Sequence, residues 1–241
     1  MNLGKLKLAA PASLLAAALL AGACADTGET QNVSENVDLD GATSAVVLVR
    51  MGAVDLDLAG GARGMLDADF SYNVEEWEPD VNWKVTDGVG RLEIDQSGSG
   101  SVNIFDLDEI ENDWDLHLND EIQTTLDVEL GAGDSTLKVG SLALTDLDVD
   151  TGAGDTTIDL AGDWHNDLDA TVEAGAGQVT LRVPADVGVR IETDTGIVDV
   201  DHSGLNKDGD VYTNDAYGVS DITLTINIDA GVGKVDLEVV E

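Results

Sequence analysis

The chain has 241 residues, 43% hydrophobic and 4% aromatic, and carries 49 acidic against 11 basic side chains for a formal charge of −38. A field of that sign repels nucleic acid and anionic headgroups, which excludes both as direct partners, and a single cysteine excludes a disulfide framework. Acidic chains can stay unfolded, but regular apolar alternation points here to a folded all-β protein, and the 35 Asp and 14 Glu suit a salt-rich habitat that screens their repulsion.

Residues 1–23 read as an export signal: Lys5 and Lys7 give the positive start, residues 14–20 an apolar run too short to span a bilayer, and residues 21–23 (AGA) a small-residue cleavage site. Cys24 follows at once, a placement that resembles a bacterial lipobox, in which the thiol is acylated and becomes the mature N-terminus. Ala21 stands where leucine is usual, and ordinary cleavage leaving an incidental thiol is the alternative. The expectation is an exported protein anchored by lipid to the bacterial cell envelope. Residues 24–36 are small and polar and form a flexible tether.

Residues 37–96 predict an antiparallel N-terminal β unit without helix. Residues 45–51 are a β-branched run, Val54, Leu56 and Leu58 alternate with Asp55 and Asp57, residues 65–74 make a further strand, and residues 83–86 pair with 91–95 across the Asp87-Gly88 turn. A Gly/Ser loop at 97–101 marks an internal boundary. Residues 97–125 join that loop to an acidic stretch, from Asp106 to Asp115, and to a strand through Trp114, Leu116 and Leu118 that leads into the rest of the chain.

From residue 126 to 241 one phrase recurs: GAGDSTLKV at Gly131, GAGDTTIDL at Gly152, GAGQVTLRV at Gly175, a worn GIVDVDHSG at Gly196, and a closing GVGKVDLEV at Gly231. The first four starts are 21, 23 and 21 residues apart. Each copy joins a Gly-x-Gly corner to a run with apolar residues on every second position. A fixed period of this size signals units that bury their apolar faces by stacking, so the array reads as a short β-solenoid. The corner glycines, Gly131, Gly133, Gly152, Gly154, Gly175, Gly177, Gly231 and Gly233, are where stacked rungs turn sharply and approach more closely than a Cβ allows.

Candidate chemistry is sparse. Asp146, Asp148 and Asp150 share one strand face, and Asp134 and Asp155 hold equivalent places in successive copies, so stacking aligns them into a column whose oxygens suit Ca²⁺. The Asp106 to Asp115 stretch is a second Ca²⁺ candidate, and a solvated acidic face is the alternative for both. A Gly-rich phosphate cradle lacks the GxxxxGK[ST] spacing. His117, His165 and His202 have no partner at metal-ligand spacing, and Asp201, His202 and Ser203 are consecutive residues that a strand would point to opposite faces. Trp77, Trp83, Trp114 and Trp164 read as core plugs rather than sugar platforms. No catalytic residue, cofactor or small-molecule substrate is implied.

The GAGD copies, VPADVGVRIETDTGIV from Val183 and the terminal INIDAGVGKVDLEV resemble the C-terminal domain of the cell-wall-active antibiotics response (LiaF-like) proteins. MGAVDLDLAGGARGMLDADFSYNVEEWEPDVNW, with the later GRLEID, is similar to the toast-rack N-terminal domain. The resemblance covers residues 37–241 and implies an all-β stack of short strands, an envelope location and, in some members, a regulatory role in envelope stress signalling. It supplies no catalytic residues. Taken together, these readings predict a non-enzymatic envelope scaffold, adhesin-like, with a stress-signalling accessory and a Ca²⁺-dependent binding module as alternatives. Its partners would be the membrane, through the lipid, and another envelope protein.

Overall fold

In the computed structural model, which describes residues 28–96, 98 and 110–241, the recurring phrase becomes a rung bent in two at its glycines. Strand β10 (Leu144–Asp159) shows the logic. Leu147, Val149 and Thr151 before the corner, and Thr156 and Ile158 after it, point inward and are buried, while Asp148, Asp150, Gly152, Ala153 and Asp155 face solvent. Alternation of period two therefore buries one side of each limb, and the corner brings the two buried sides face to face.

The described residues hold fifteen strands in one continuous sheet and no α-helix; a single 3-10 turn covers Glu75–Trp77. Six rungs stack in parallel. The first combines β2 (Ser44–Ala53) with β3 (Asp55–Gly60), the second β8 (Gln123–Ala132) with β9 (Ser135–Lys138), and the third is β10. β11 (Leu168–Pro184) is the fourth, β15 (Thr223–Val240) the fifth and β12 (Gly188–Ser203) the sixth. Between the limbs runs one core, with Val47, Leu126, Leu147, Ala170, Ile226 and Val189 on the first-limb side and Leu58, Leu137, Ile158, Leu181 and Leu237 on the second.

The antiparallel pairing expected at the N-terminus is present. β1 (Gln31–Val37) pairs with β4 (Leu66–Tyr72), β4 with β7 (Asn112–Leu118), and β5 (Pro79–Thr86) with β6 (Val89–Gln96). The β5–β6 turn is the expected Asp87-Gly88, with both residues at positive φ (53° and 82°). What the sequence pattern hides is that residues 44–60 form a true rung, parallel to the array, with Gly52 and Ala53 as its corner.

Four expectations are corrected. The tether does not extend to residue 36, because residues 31–36 belong to β1; Val33 and Val37 are half-buried beneath a run whose polar composition masks the strand. No boundary falls after residue 96, since β6 pairs with β2 and β7 with β3 in the same sheet. β7 does not lead into the array: it flanks the first rung, and the array's next strand is β8. The last copy does not close the stack either. β15 lies between β11 and β12, parallel to both, and the worn copy at Gly196 occupies the end, where the β13 (Asn206–Asp208) and β14 (Val211–Thr213) hairpin adds to it. A fully regular Gly-x-Gly corner is needed where rungs lie on both sides, and a degenerate one suffices at the end.

Candidate functional site

The corner is the most regular feature of the rod. Gly133, Gly154, Gly177 and Gly233 have φ between +130° and +142°, and a Cβ built on each would lie 1.8 to 1.9 Å from the carbonyl oxygen of the preceding rung. Gly131, Gly152, Gly175 and Gly231 are almost as confined, at 2.3 to 2.6 Å. The corresponding residues of the end rungs are Val54 and Val198, neither at positive φ. Between the two glycine columns runs a ridge in register: Ala53, Ala132, Ala153, Ala176, Val232 and Ile197.

Asp134 and Asp155 do form a column, and each carboxylate accepts a backbone hydrogen bond from the next rung. The Asp134 N–H donates to Asp55 (3.0 Å), the Asp155 N–H to Asp134 (3.1 Å) and the Gln178 N–H to Asp155 (3.2 Å). These N–H groups stand at the corner, where the carboxylate gives them an acceptor. Gln178 continues the line by donating to Asp236 (3.0 Å). Lys234 then bridges Asp236 (2.6 Å) and Asp201 (3.2 Å), and these two carboxylates hold its ammonium above the ordinary lysine range. Asp55 is the member that sequence reasoning missed; its signal is the GAVD at Gly52, a GAGD copy with valine at the second glycine.

Asp146, Asp148 and Asp150 lie exposed on the outer face of the first limbs. Register brings Asp150 between Glu129 and Glu173, and carries the row on to Asp229 and Asp194. That is five carboxylates in consecutive rungs, about 4.8 Å apart at ordinary strand spacing. A cation meets this row at its N-terminal end: Arg50, in register with Glu129, is held by Asp95 at 2.7 Å.

At the N-terminal end of the other layer, Asp55, Asp57, Asp69, Asp113 and Asp115 line a shallow groove of about 340 Å³. Asp113 is pushed above the usual carboxylate range by desolvation and by the neighbouring Asp55 and Glu111. Glu111 is pulled below it by hydrogen bonds from Thr30 (2.7 Å) and Ser71 (2.8 Å). Asp106, Asp108 and Glu109 fall outside the described residues, as does Cys24. Among the described residues no group of three or more His, Cys, Asp or Glu side chains is arranged to hold a metal ion.

The remaining candidates are placed as follows. Trp114, Trp77 and Trp164 are buried and Trp83 half-buried, its ring against Gly90. Trp114 packs edge-on against Phe70 at 5.0 Å. His202 packs edge-on against Tyr212, Asp201 faces Lys234, His117 sits beside Asp115 (3.3 Å) and His165 lies against the Asp163 carbonyl (3.1 Å), so the three histidines serve separate neighbourhoods. Among the described residues no helix is long and apolar enough to cross a membrane.

The chain is similar over its length to known proteins. Residues 26–182 match the family model described as the N-terminal domain of toast_rack, DUF2154, and residues 132–237 match that of cell wall-active antibiotics response LiaF, C-terminal. The two matches overlap at 132–182, in keeping with a sheet that has no internal boundary. No curated protein matches. A crystal structure from Clostridium sporogenes ATCC 15579, described as a candidate cell adhesion protein, is 29% identical, with a TM-score of 0.85 over 88% of this chain and 100% of that one. A candidate adhesin from Bacteroides fragilis NCTC 9343 aligns at 10% identity over 87% of this chain and 97% of that one, but at a TM-score of 0.24 it bears on nothing further. With the matched model spanning well over half of its residues, the chain belongs to the toast-rack family, its N-terminal toast-rack domain running without a break into a LiaF-like C-terminal domain.

Proposed function

We propose that the chain is a non-enzymatic, lipid-anchored scaffold of the bacterial envelope with an adhesin-like role. The observation that carries the reading is the end-to-end likeness to the Clostridium sporogenes candidate cell adhesion protein, at 29% identity and a TM-score of 0.85. The geometry supports it: a continuous double-layered rod with one core and outward carboxylates repeated rung by rung is built to present a rigid surface. Cys24 carries the lipid, and the residues before β1 space the rod from the membrane. Acylation is tested by mass spectrometry of the membrane fraction, where Cys24 carries acyl chains, and by Cys24→Ser, which moves the protein to the soluble fraction. An unmodified thiol would sink the anchoring. Adhesion is tested by surface attachment of cells that lack the protein; undiminished attachment would sink the scaffold reading.

The match of residues 132–237 to the LiaF C-terminal model favours a second reading, an accessory in envelope-stress signalling through protein contact. Capture of a membrane kinase or its partner on the purified rod distinguishes it from adhesion.

A further inference from the structure

The two ends of the rod are finished differently. At the N-terminal end both layers are continued, by β6 parallel to β2 and β7 parallel to β3, and then by antiparallel strands, β5 on one side and β4 and β1 on the other. At the C-terminal end the cap is partial. The β13–β14 hairpin pairs with β12 only at Arg190–Glu192, and the Thr193 N–H, donating to the Asp210 carbonyl (2.9 Å), is the last backbone contact along that edge. Tyr212 and Leu205 seal the core over this half and are buried. From residue 197 to 203 the second limb of β12 pairs with β15 on its inner side, and no described strand pairs with its outer side.

Side chains on this open stretch match its backbone. Val198 and Val200 point inward but are only half-buried, because no rung covers them. Ile197 is 80% exposed and its register partner Val232 55% exposed, two of the most exposed large apolar residues among those described. Asp199 and Asp201 alternate with the valines and face outward. Lys234 is shared between Asp201 and Asp236, which leaves Asp199 without a cation. An unpaired strand edge with apolar residues on one side and carboxylates on the other is a template for a strand of complementary pattern.

We propose that this half-capped end binds an extended segment of another protein, with apolar and basic residues in alternation, as an added strand beside residues 197–203. The incoming apolar side chains cover Val198 and Val200, and the lysines or arginines lie across from Asp199 and Asp201 on the outward face, as cross-strand pairs require. A second copy of this chain is the poorer fit, since most of its own exposed segments would bring carboxylates against Asp199. The inference rests on the reading of the rod as a surface that holds another protein, and names where and what it holds.

The test uses the full chain and synthetic octapeptides followed by fluorescence anisotropy at near-physiological salt. A peptide alternating lysine and valine binds, and one alternating glutamate and valine does not. N-methylation on alternate residues of the lysine peptide removes the donors for the ladder and weakens binding by about tenfold or more, as losing two or more hydrogen bonds would. Val200→Ser weakens it as well, and Asp199→Lys moves the preference toward the glutamate peptide; Val200 is half-buried and Asp199 exposed, and unchanged melting temperatures establish that the variants fold. Equal binding of the N-methylated peptide would reduce the effect to diffuse attraction by a chain of charge −38 and overturn the proposal. An unaltered preference in Asp199→Lys would overturn it too, as would sedimentation showing that this end instead pairs two copies in a form the peptide cannot displace. Failure of the octapeptides alone leaves acylation of Cys24 and the attachment assay standing, so the docking mode and the scaffold role fail separately.

Discussion

At Gly154 two constraints meet in one residue: φ of +131°, which L side chains rarely adopt, and a carbonyl oxygen 1.9 Å from any added Cβ. Gly154→Ala must move a backbone that is packed on both sides, and is expected to cost about 3 kcal/mol in urea unfolding. Gly209→Ala, at φ +63° with nothing within 4 Å of the Cβ, costs only about 1 kcal/mol and separates crowding from backbone preference. Asp134 acts through one oxygen. Asp134→Ala strips the acceptor from the Asp155 N–H and loses about 1 kcal/mol, whereas Asp134→Asn keeps an acceptor and removes a charge, so it is close to neutral. Chelator leaves the parent's melting temperature unchanged on this account, and a saturable stabilisation by Ca²⁺ would return the column to the metal reading. At Asp113 the sign is opposite to that of a paired acid. Its raised value means that the folded chain prefers the neutral form, a preference present below the ordinary Asp range and lost as pH rises through the raised one. Asp113→Asn therefore raises the melting temperature slightly at pH 7 and has no effect at pH 3.

Among the elements, β15 has the largest consequence, since it is bonded along its whole length to β11 on one side and β12 on the other. A chain ending before Thr223 is expected to lose amide protection not only for the missing strand but throughout residues 188–213, measured by hydrogen exchange. Protection of that segment at the parent's level would show that β12 can dock on β11 directly. The order of these rungs was not legible in the sequence, because the copies share one alternation and the worn corner at Gly196 follows its neighbours in the chain at the same spacing, so that nothing local shows which rung lies beside which. The solenoid itself was legible, because period-two burial and Gly-x-Gly corners are local properties. The first rung stayed hidden at Gly52 because Val54 replaces the second glycine, in the first rung of the stack, and breaks the Gly-x-Gly signal. β1 stayed hidden because an edge strand with one layer beneath it needs little apolar surface. For the candidate site, the pairing of Asp134 with Asp155 followed from spacing, but their role did not: the need for an acceptor at the corner appears only once neighbouring backbones are in place. The row from Glu129 to Asp194 required the register across β15 and could not be read from the copies alone.

For the whole molecule, repetition multiplies a small electrostatic cost. Two carboxylates about 4.8 Å apart repel by about 0.9 kcal/mol in a water-like dielectric, and the row from Glu129 to Asp194 contains four such neighbouring pairs. Salt of about 1 M shortens the screening length to about 3 Å, less than the spacing of the row. The melting temperature is accordingly expected to rise steadily from about 0.05 to 2 M NaCl, by scanning calorimetry, and a flat profile would remove the link between this surface and a saline habitat.

The placement of β15 also bears on how the protein is made. Synthesis delivers β12 before β15, yet β12 belongs beyond it in the stack. While the eighteen residues of β15 are still to come, β11 offers an open edge that β12 can occupy in the wrong place, with an equivalent hydrogen-bond pattern and equivalent apolar neighbours. This part of the rod can therefore settle only after β15 has been made and has either taken its place first or displaced the earlier strand. A strand that must be inserted rather than appended thus acts as a timer, holding this part of the rod incomplete until it arrives.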